Sequence, residues 1–259
     1  MLNDNLFNQI IDSELIKEIL YDFHKEGPVN NSHLETLAYL KKHNPEAFKP
    51  YEAKLMYLMG LFYKTNEPNT FIEAIYNAYA QTIIEETGHN FTPVQADAYN
   101  SIKKYTNFSF SAPTSAGKSF LFQELIKETK GDLIIVLPSR ALLSEYLIKV
   151  KRLVSNETLV LQFIEIVNTK RTKNRIYIIT PERGEEIFKN IDKLNLELIL
   201  LDEAQISEEG IRGMKFDSLV RRIDKKLNNI KKVFTHPFVL NPETQFKKHN
   251  ITHDIDSET

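Results

Sequence analysis

Ser111–Ser119 reads SAPTSAGKS, and this stretch decides the fold. Before it, Phe108–Ala112 is a short apolar-alternating run. After it, Phe120, Leu121, Leu125 and Ile126 recur at helical spacing. A strand, a tight turn and a helix therefore bracket Ala112, Pro113, Thr114, Ser115, Ala116, Gly117, Lys118 and Ser119. In such a turn successive backbone N–H groups point inward and meet the positive end of the following helix. That concavity binds a polyphosphate with few side chains. Gly117 lets the backbone approach closely, Lys118 is placed to reach the β and γ oxygens of a nucleoside triphosphate, and the Ser119 hydroxyl is placed to ligate Mg²⁺. The stretch departs from G-x-x-x-x-G-K-[ST] at its first position, which is Ala112.

Further along, Leu198–Gln205 reads LILLDEAQ. Leu196 and Leu198–Leu201 form a nearly continuous apolar run, the pattern of a strand covered on both faces in a parallel sheet. It ends in Asp202-Glu203, so two carboxylates stand at the carboxyl end of a buried strand, where open α/β sheets hold their ligands. Asp202 is the expected Mg²⁺ carboxylate and Glu203 the group that orients and deprotonates an attacking water. An acidic pair opening a helix would look the same in isolation; the phosphate-type turn upstream decides between the two.

With those two stretches fixed, the intervening segments resemble the first motor domain of superfamily-two DEAD/DEAH-type helicases. Ala112–Ser119 looks like motif I and Asp202-Glu203-Ala204-Gln205 like motif II, with Gln205 in the motif's last, catalytic-set position. Leu137-Pro138-Ser139-Arg140-Ala141-Leu142 resembles motif Ia, Ile179-Thr180-Pro181-Glu182-Arg183 motif Ib, and Phe91-Thr92-Pro93-Val94-Gln95 the adenine-reading Q-type motif. The spellings look most like the branch of archaeal repair and exosome-associated helicases. Thr235-His236-Pro237 stands where motif III usually reads Ser-Ala-Thr, and Asn241-Pro242-Glu243 also matches that branch. His236 replaces a small residue, and Gln205 stands where the branch more often has His. The resemblance covers Phe91 to Glu243.

It implies a RecA-like P-loop domain, ATP and Mg²⁺ as cofactors, and a single-stranded DNA or RNA backbone held by Ser139, Arg140, Thr180 and Arg183. Adenine would fall to Phe91 and Gln95. The resemblance also implies a second motor domain, or a partner protein, supplying an arginine finger worth about 10³–10⁵ in turnover. Without it, ATP hydrolysis is expected to be weak. A helicase of an antiphage defence system would suit the Asn/Lys/Ile-rich composition. The alternative is a non-catalytic adaptor that keeps a motor-like fold to bind a partner protein or nucleic acid.

The pattern outside the motifs agrees. Strands are expected at Phe108–Ala112, Leu133–Leu137, Leu159–Ile166, Ile176–Thr180, Leu196–Leu201 and Val233–Phe234. Helices are expected at Lys118–Thr129, Leu142–Leu153, Glu185–Lys189 and Phe216–Leu227. This alternation predicts an α/β fold, a parallel sheet between helices. The front of the chain has only helical periods, in four segments: one ended by Gly27-Pro28, one that follows the capping turn Asn30-Asn31-Ser32 and stops near Asn44-Pro45, a third at Tyr51–Tyr63, and a fourth at Phe71–Glu86 ending at Gly88. The expected organisation is a helical N-terminal accessory region at 1–88, a RecA-like ATP-binding domain at 89–244 and a polar tail at 245–259. The helical region reads either as a cap on the motor sheet or as a docking domain for a partner or nucleic acid.

Composition excludes several classes. The 259 residues contain no cysteine, so disulfides and thiolate metal sites are ruled out. No apolar run approaches membrane-spanning length and the start, MLNDNLFNQ, lacks signal-peptide character, so a cytoplasmic protein without membrane attachment is expected. A formal charge of −2 gives no global attraction to nucleic acid, which leaves any such binding to local groups.

Overall fold

The computed structural model describes residues 12–27, 30–61, 68, 70–111, 117–165, 172–237, 244–249 and 251. The chain divides into two compact units, Met1–Ala96 and Asp97–Thr259. Each is taken by itself.

In the first unit, helices α1 (Asp12–Glu26), α2 (Asn31–His43), α3 (Pro45–Leu58) and α4 (Phe71–Thr87) follow one another, and α5 (Pro93–Lys104) begins. Their ends are set by local chemistry. The Asn30 side chain accepts from the Ser32 amide at the start of α2, and Asn44 caps α3 through the Ala47 amide, with Pro45 in the first turn. Gly88 closes α4 in the left-handed region at φ 76°, which a side chain would resist. The third segment thus starts at Pro45, earlier than the periodicity from Tyr51 implied; Tyr63 lies outside the described residues. Ile16, Ile19, Leu20, Phe23, Leu37, Leu40, Phe48 and Leu55 form a core belonging to α1–α3.

The second unit holds a six-stranded, all-parallel sheet in the order β1-β6-β5-β2-β4-β3. Its strands are β1 (Asn107–Ser111), β2 (Asp132–Val136), β3 (Thr158–Leu161), β4 (Asn174–Ile179), β5 (Leu196–Leu201) and β6 (Lys231–His236). Helices α6 (Lys118–Glu128), α7 (Arg140–Leu153), α8 (Glu185–Lys189) and α9 (Gly210–Lys226) connect them, and α10 (Thr244–His249) follows. This is the expected α/β architecture, a RecA-like fold. Every residue of β2 is buried, as are the last four of β5, matching their unbroken apolar runs.

Parallel strands place all their carboxyl ends on one edge of the sheet. Register keeps those ends level: Val136 pairs with Leu201 on one side and Ile179 on the other, and Ser111 pairs with His236. At the opposite edge Asp132 anchors the alignment. Its carboxylate accepts from the backbone amides of Arg175 and Asn195, both at 2.9 Å, and from Arg175 Nη1 at 3.0 Å. One buried acid thereby ties the starts of β2, β4 and β5.

Three differences from the sequence expectation have physical causes. β3 is shorter, ending at Leu161, because it is a half-buried edge strand and the chain bends after it. β6 is longer, since Lys232 is 1% exposed and its amine is satisfied by Asn107 Oδ1 and the Asn228 carbonyl. Within the stretch read as a polar tail, 244–249 is helical, and Phe246 and Ile251 pack into the main core. Among the described residues no helix is long and apolar enough to cross a membrane.

Candidate functional site

Five segments singled out in the sequence meet the carboxyl edge of the sheet, each leaving a different strand. They follow β1 (Gly117 and Lys118), β6 (Pro237), β5 (Asp202-Glu203), β2 (Pro138 to Arg140) and β4 (Thr180 to Arg183). Sheet order therefore sorts them into two neighbouring groups: β1, β6 and β5 carry the triphosphate candidates, and β2 with β4 the strand candidates.

Ala112, Pro113, Thr114, Ser115 and Ala116 lie outside the described residues. Gly117 is left-handed at φ 76° and opens α6, so the glycine there meets a backbone requirement. Gly117 offers α6 no side-chain cap, and the Phe120 and Leu121 amides turn back onto the Gly117 carbonyl at 2.9 and 3.3 Å. Lys118 reaches across to β6, where Nζ donates to the His236 carbonyl at 2.7 Å. Ser119 and Tyr146 line one small cavity between α6 and α7.

Asp202 is the best-anchored acid of the edge. Oδ1 accepts from Thr235 Oγ1 at 2.6 Å and from the Glu203 amide at 3.0 Å. Oδ2 accepts from the Tyr146 hydroxyl at 2.5 Å. Burial first, then the Asp202 carboxylate, push the Tyr146 phenol well above its ordinary range, so it stays a proton donor. Glu203 sits at φ 54°, ψ 48°, and among the described residues is the one non-glycine with positive φ. Holding an L-residue there costs about 1–2 kcal/mol. The Gln205 amide donates to Glu203 Oε2, while Gln205 Oε1 is buried with no hydrogen-bond partner among the described residues.

At the head of β6, the buried His236 Nε2 lies 3.2 Å from Ser109 Oγ. Burial, then the Lys118 charge, lower its pKa to about 4, so the imidazole is neutral at pH 7.

The strand candidates are placed unequally. Ser139 precedes α7 without capping it, and Arg140 is exposed at its first residue. Arg183 is engaged: Nη1 donates to the Gln162 carbonyl at 2.7 Å and its guanidinium lies 4.0 Å from the Phe163 ring centroid. Thr180 is buried, and its hydroxyl serves Glu182. Burial pushes the Glu182 carboxyl up, but that bond with the Lys215 and Arg212 charges brings it below its usual value. Phe91 and Gln95 belong to the first unit. There the Gln95 Oε1 accepts from the Thr92 amide at 2.9 Å while Thr92 Oγ1 accepts from the Gln95 amide at 3.3 Å, a reciprocal capping box opening α5.

Comparison with known proteins decides the family, because the match runs over residues 92–236, more than half of the chain, to the DEAD/DEAH box helicases. The chain belongs to the DEAD/DEAH box helicase family. No curated protein matches it. Among solved structures, a hypothetical ATP-dependent RNA helicase from Sulfolobus tokodaii is similar at 19% identity and a TM-score of 0.46, over 69% of this chain and 56% of that one. The DUF1998 helicase MrfA is similar at 15% identity and a TM-score of 0.46, over 67% of this chain and 31% of that one. The chain thus spans about half the length of the first and a third of the second.

The residues present fit the Mg²⁺ that this family implies. Among the described residues no group of three or more His, Cys, Asp or Glu stands together as a complete cage. Mg²⁺ in phosphate enzymes is held instead by one or two hard oxygen donors plus the substrate's own phosphates. Asp202 and Ser119 are such donors. Among the described residues, Tyr146 is a hydrogen-bond partner of Asp202 that the sequence reading did not single out. Leu142, Leu143, Tyr146, Leu147 and Val150 share one helical stripe, so its tyrosine reads as packing.

Proposed function

We propose that this helicase-type domain binds Mg·ATP at the loop leading into Lys118 and Ser119, and a single-stranded nucleic-acid backbone at the ends of β2 and β4. The observation that carries the first half is the convergence of Lys118, Asp202, Thr235 and Tyr146 across three strand ends and α7. When bound, Mg·ATP supplies the phosphoanhydride to be cleaved and the cation that neutralises its developing charge. Everything else falls to side chains. Lys118 exchanges the His236 carbonyl for phosphate oxygens. Asp202 and Ser119 hold the metal's side of the site. Glu203, fixed by Gln205, orients a water and accepts its proton at the carboxylate.

Arg140 is the preferred backbone contact because it is exposed at the sheet's ligand edge. Such contacts position a strand without reading its sequence. Hydrolysis by this chain alone is expected to be slow, a second motor domain or partner protein supplying the arginine finger.

Calorimetric titration with Mg·ATP tests the reading. The wild-type chain should bind, and Lys118→Ala should lose binding while its thermal unfolding stays near wild type. Equal affinity in both proteins sinks the phosphate-loop assignment. No binding by the wild type would instead favour a helicase-like adaptor that handles a partner or nucleic acid without nucleotide.

A further inference from the structure

We infer that Tyr146 is a positioning residue for the metal-holding carboxylate: its hydroxyl on Oδ2, opposed by Thr235 and the Glu203 amide on Oδ1, aims Asp202. The inference rests on the motor reading above and deepens it.

A carboxylate has four lone-pair sites. On Asp202, Oδ1 accepts two hydrogen bonds, from Thr235 Oγ1 and the Glu203 amide, and its capacity is filled. Oδ2 accepts one, from Tyr146. A single acceptor direction therefore remains, on Oδ2, beside the Tyr146 hydroxyl. The three donors come from three different elements: β6, the turn after β5, and α7. Donors so placed fix both the plane and the rotation of the carboxylate. Without the tyrosine, Oδ2 would lose its one anchor among the described residues and Asp202 could turn about the Oδ1 contacts.

Tyr146 also lies beside the cavity that the other metal candidate lines. It shares the cavity between α6 and α7 with Ser119, Phe122 and Val150. Three other residues that line it, Phe122, Ile126 and Val150, are buried and apolar. A tyrosine serving packing alone would not need its oxygen directed onto a carboxylate.

The test reads metal dependence of binding rather than turnover. Binding of a fluorescent ATP analogue to the full chain is titrated with Mg²⁺, and repeated in excess chelator. For Tyr146→Phe the Mg²⁺ midpoint should rise roughly tenfold, the size expected from removing one hydrogen bond to a charged acceptor. Metal-free nucleotide affinity should stay at wild type, and the thermal midpoint should fall by no more than the few degrees that one lost hydrogen bond allows. An unchanged Mg²⁺ midpoint overturns the inference, as does an equal loss of affinity with and without metal, which would make Tyr146 a packing residue. If Tyr146→Phe does not fold, the wild type labelled at tyrosine Cζ answers by NMR. One of its eleven tyrosine signals should shift when Mg²⁺ joins ATP, and no movement overturns the inference. A wild type that binds no Mg·ATP removes the motor reading and this inference together. A wild type that binds, with Lys118→Ala that does not, leaves the motor reading standing whatever Tyr146→Phe shows.

Discussion

Burial of the His236 imidazole at the head of β6 gives the fold a dependence on pH that can be signed. Its folded pKa is lowered from 6.5 to about 4 by burial first and by the Lys118 charge second. In the unfolded chain the ring takes up a proton as pH falls through 6.5; in the folded chain it resists until about 4. The unfolded state binds more protons across that window, so stability falls as pH drops through it. The largest loss this allows is about 3 kcal/mol, at about 1.36 kcal/mol per pKa unit. Melts between pH 7.5 and 4 should therefore show a decline that His236→Gln flattens. An identical slope in the variant would mean that other groups drive the decline. The same side chain stands at a family position normally held by a small residue, and it occupies that space with a ring the sheet keeps neutral.

The elements most legible in the sequence were those whose burial and local chemistry agree. β2 and β5 are apolar runs buried on both faces, and α2 starts after the capping residue Asn30, whereas Asn44, legible as a stop, also caps the start of α3. Legibility fails where a tertiary partner overrules local chemistry. Lys232 hides the beginning of β6 because its amine is satisfied by Asn107 and Asn228, which no local pattern reveals. The expected helix starts at Phe216, whereas α9 begins at Gly210. Gly213 is there for proximity: a Cβ would lie 2.5 Å from the Ser207 carbonyl oxygen and 2.8 Å from that of Ile206. Both oxygens belong to the 3₁₀ turn Ala204–Glu208 that follows the Asp202-Glu203 pair. The obstacle is backbone, which cannot rotate aside. Gly213→Ala should therefore cost about 1–3 kcal/mol in urea unfolding, as overpacking does. A variant as stable as wild type would show that α9 can slide off the turn freely. In the candidate site, the acids and the lysine were legible from their spacing, whereas Tyr146 was not, because its partner is 56 residues away.

At the scale of the molecule, a formal charge of −2 leaves the chain without a general pull on nucleic acid, so any affinity for a strand must come from a few placed cations. The sequence nominated Arg140 and Arg183 alike. Their surroundings separate them: Arg140 is exposed where α7 leaves β2, while Arg183 is committed to the Gln162 carbonyl and stacked on Phe163. A phosphate contact by Arg183 would have to displace that carbonyl bond, so the proposed backbone grip should depend on Arg140 more. Counterion release makes the difference measurable, since each phosphate neutralised on a single strand contributes about −0.7 to the slope of log affinity against log salt. Arg140→Ala should make the slope shallower by about 0.7 and weaken binding to homopolymers of different base by the same factor. Arg183→Ala should change the slope less, and should lower stability instead through the lost carbonyl bond and ring contact. Fluorescence anisotropy with labelled oligonucleotides over a range of salt checks both variants. A slope unmoved by Arg140→Ala would remove β2's end from the strand path. A full step for Arg183→Ala would mean that it abandons Gln162 and Phe163 when a strand arrives.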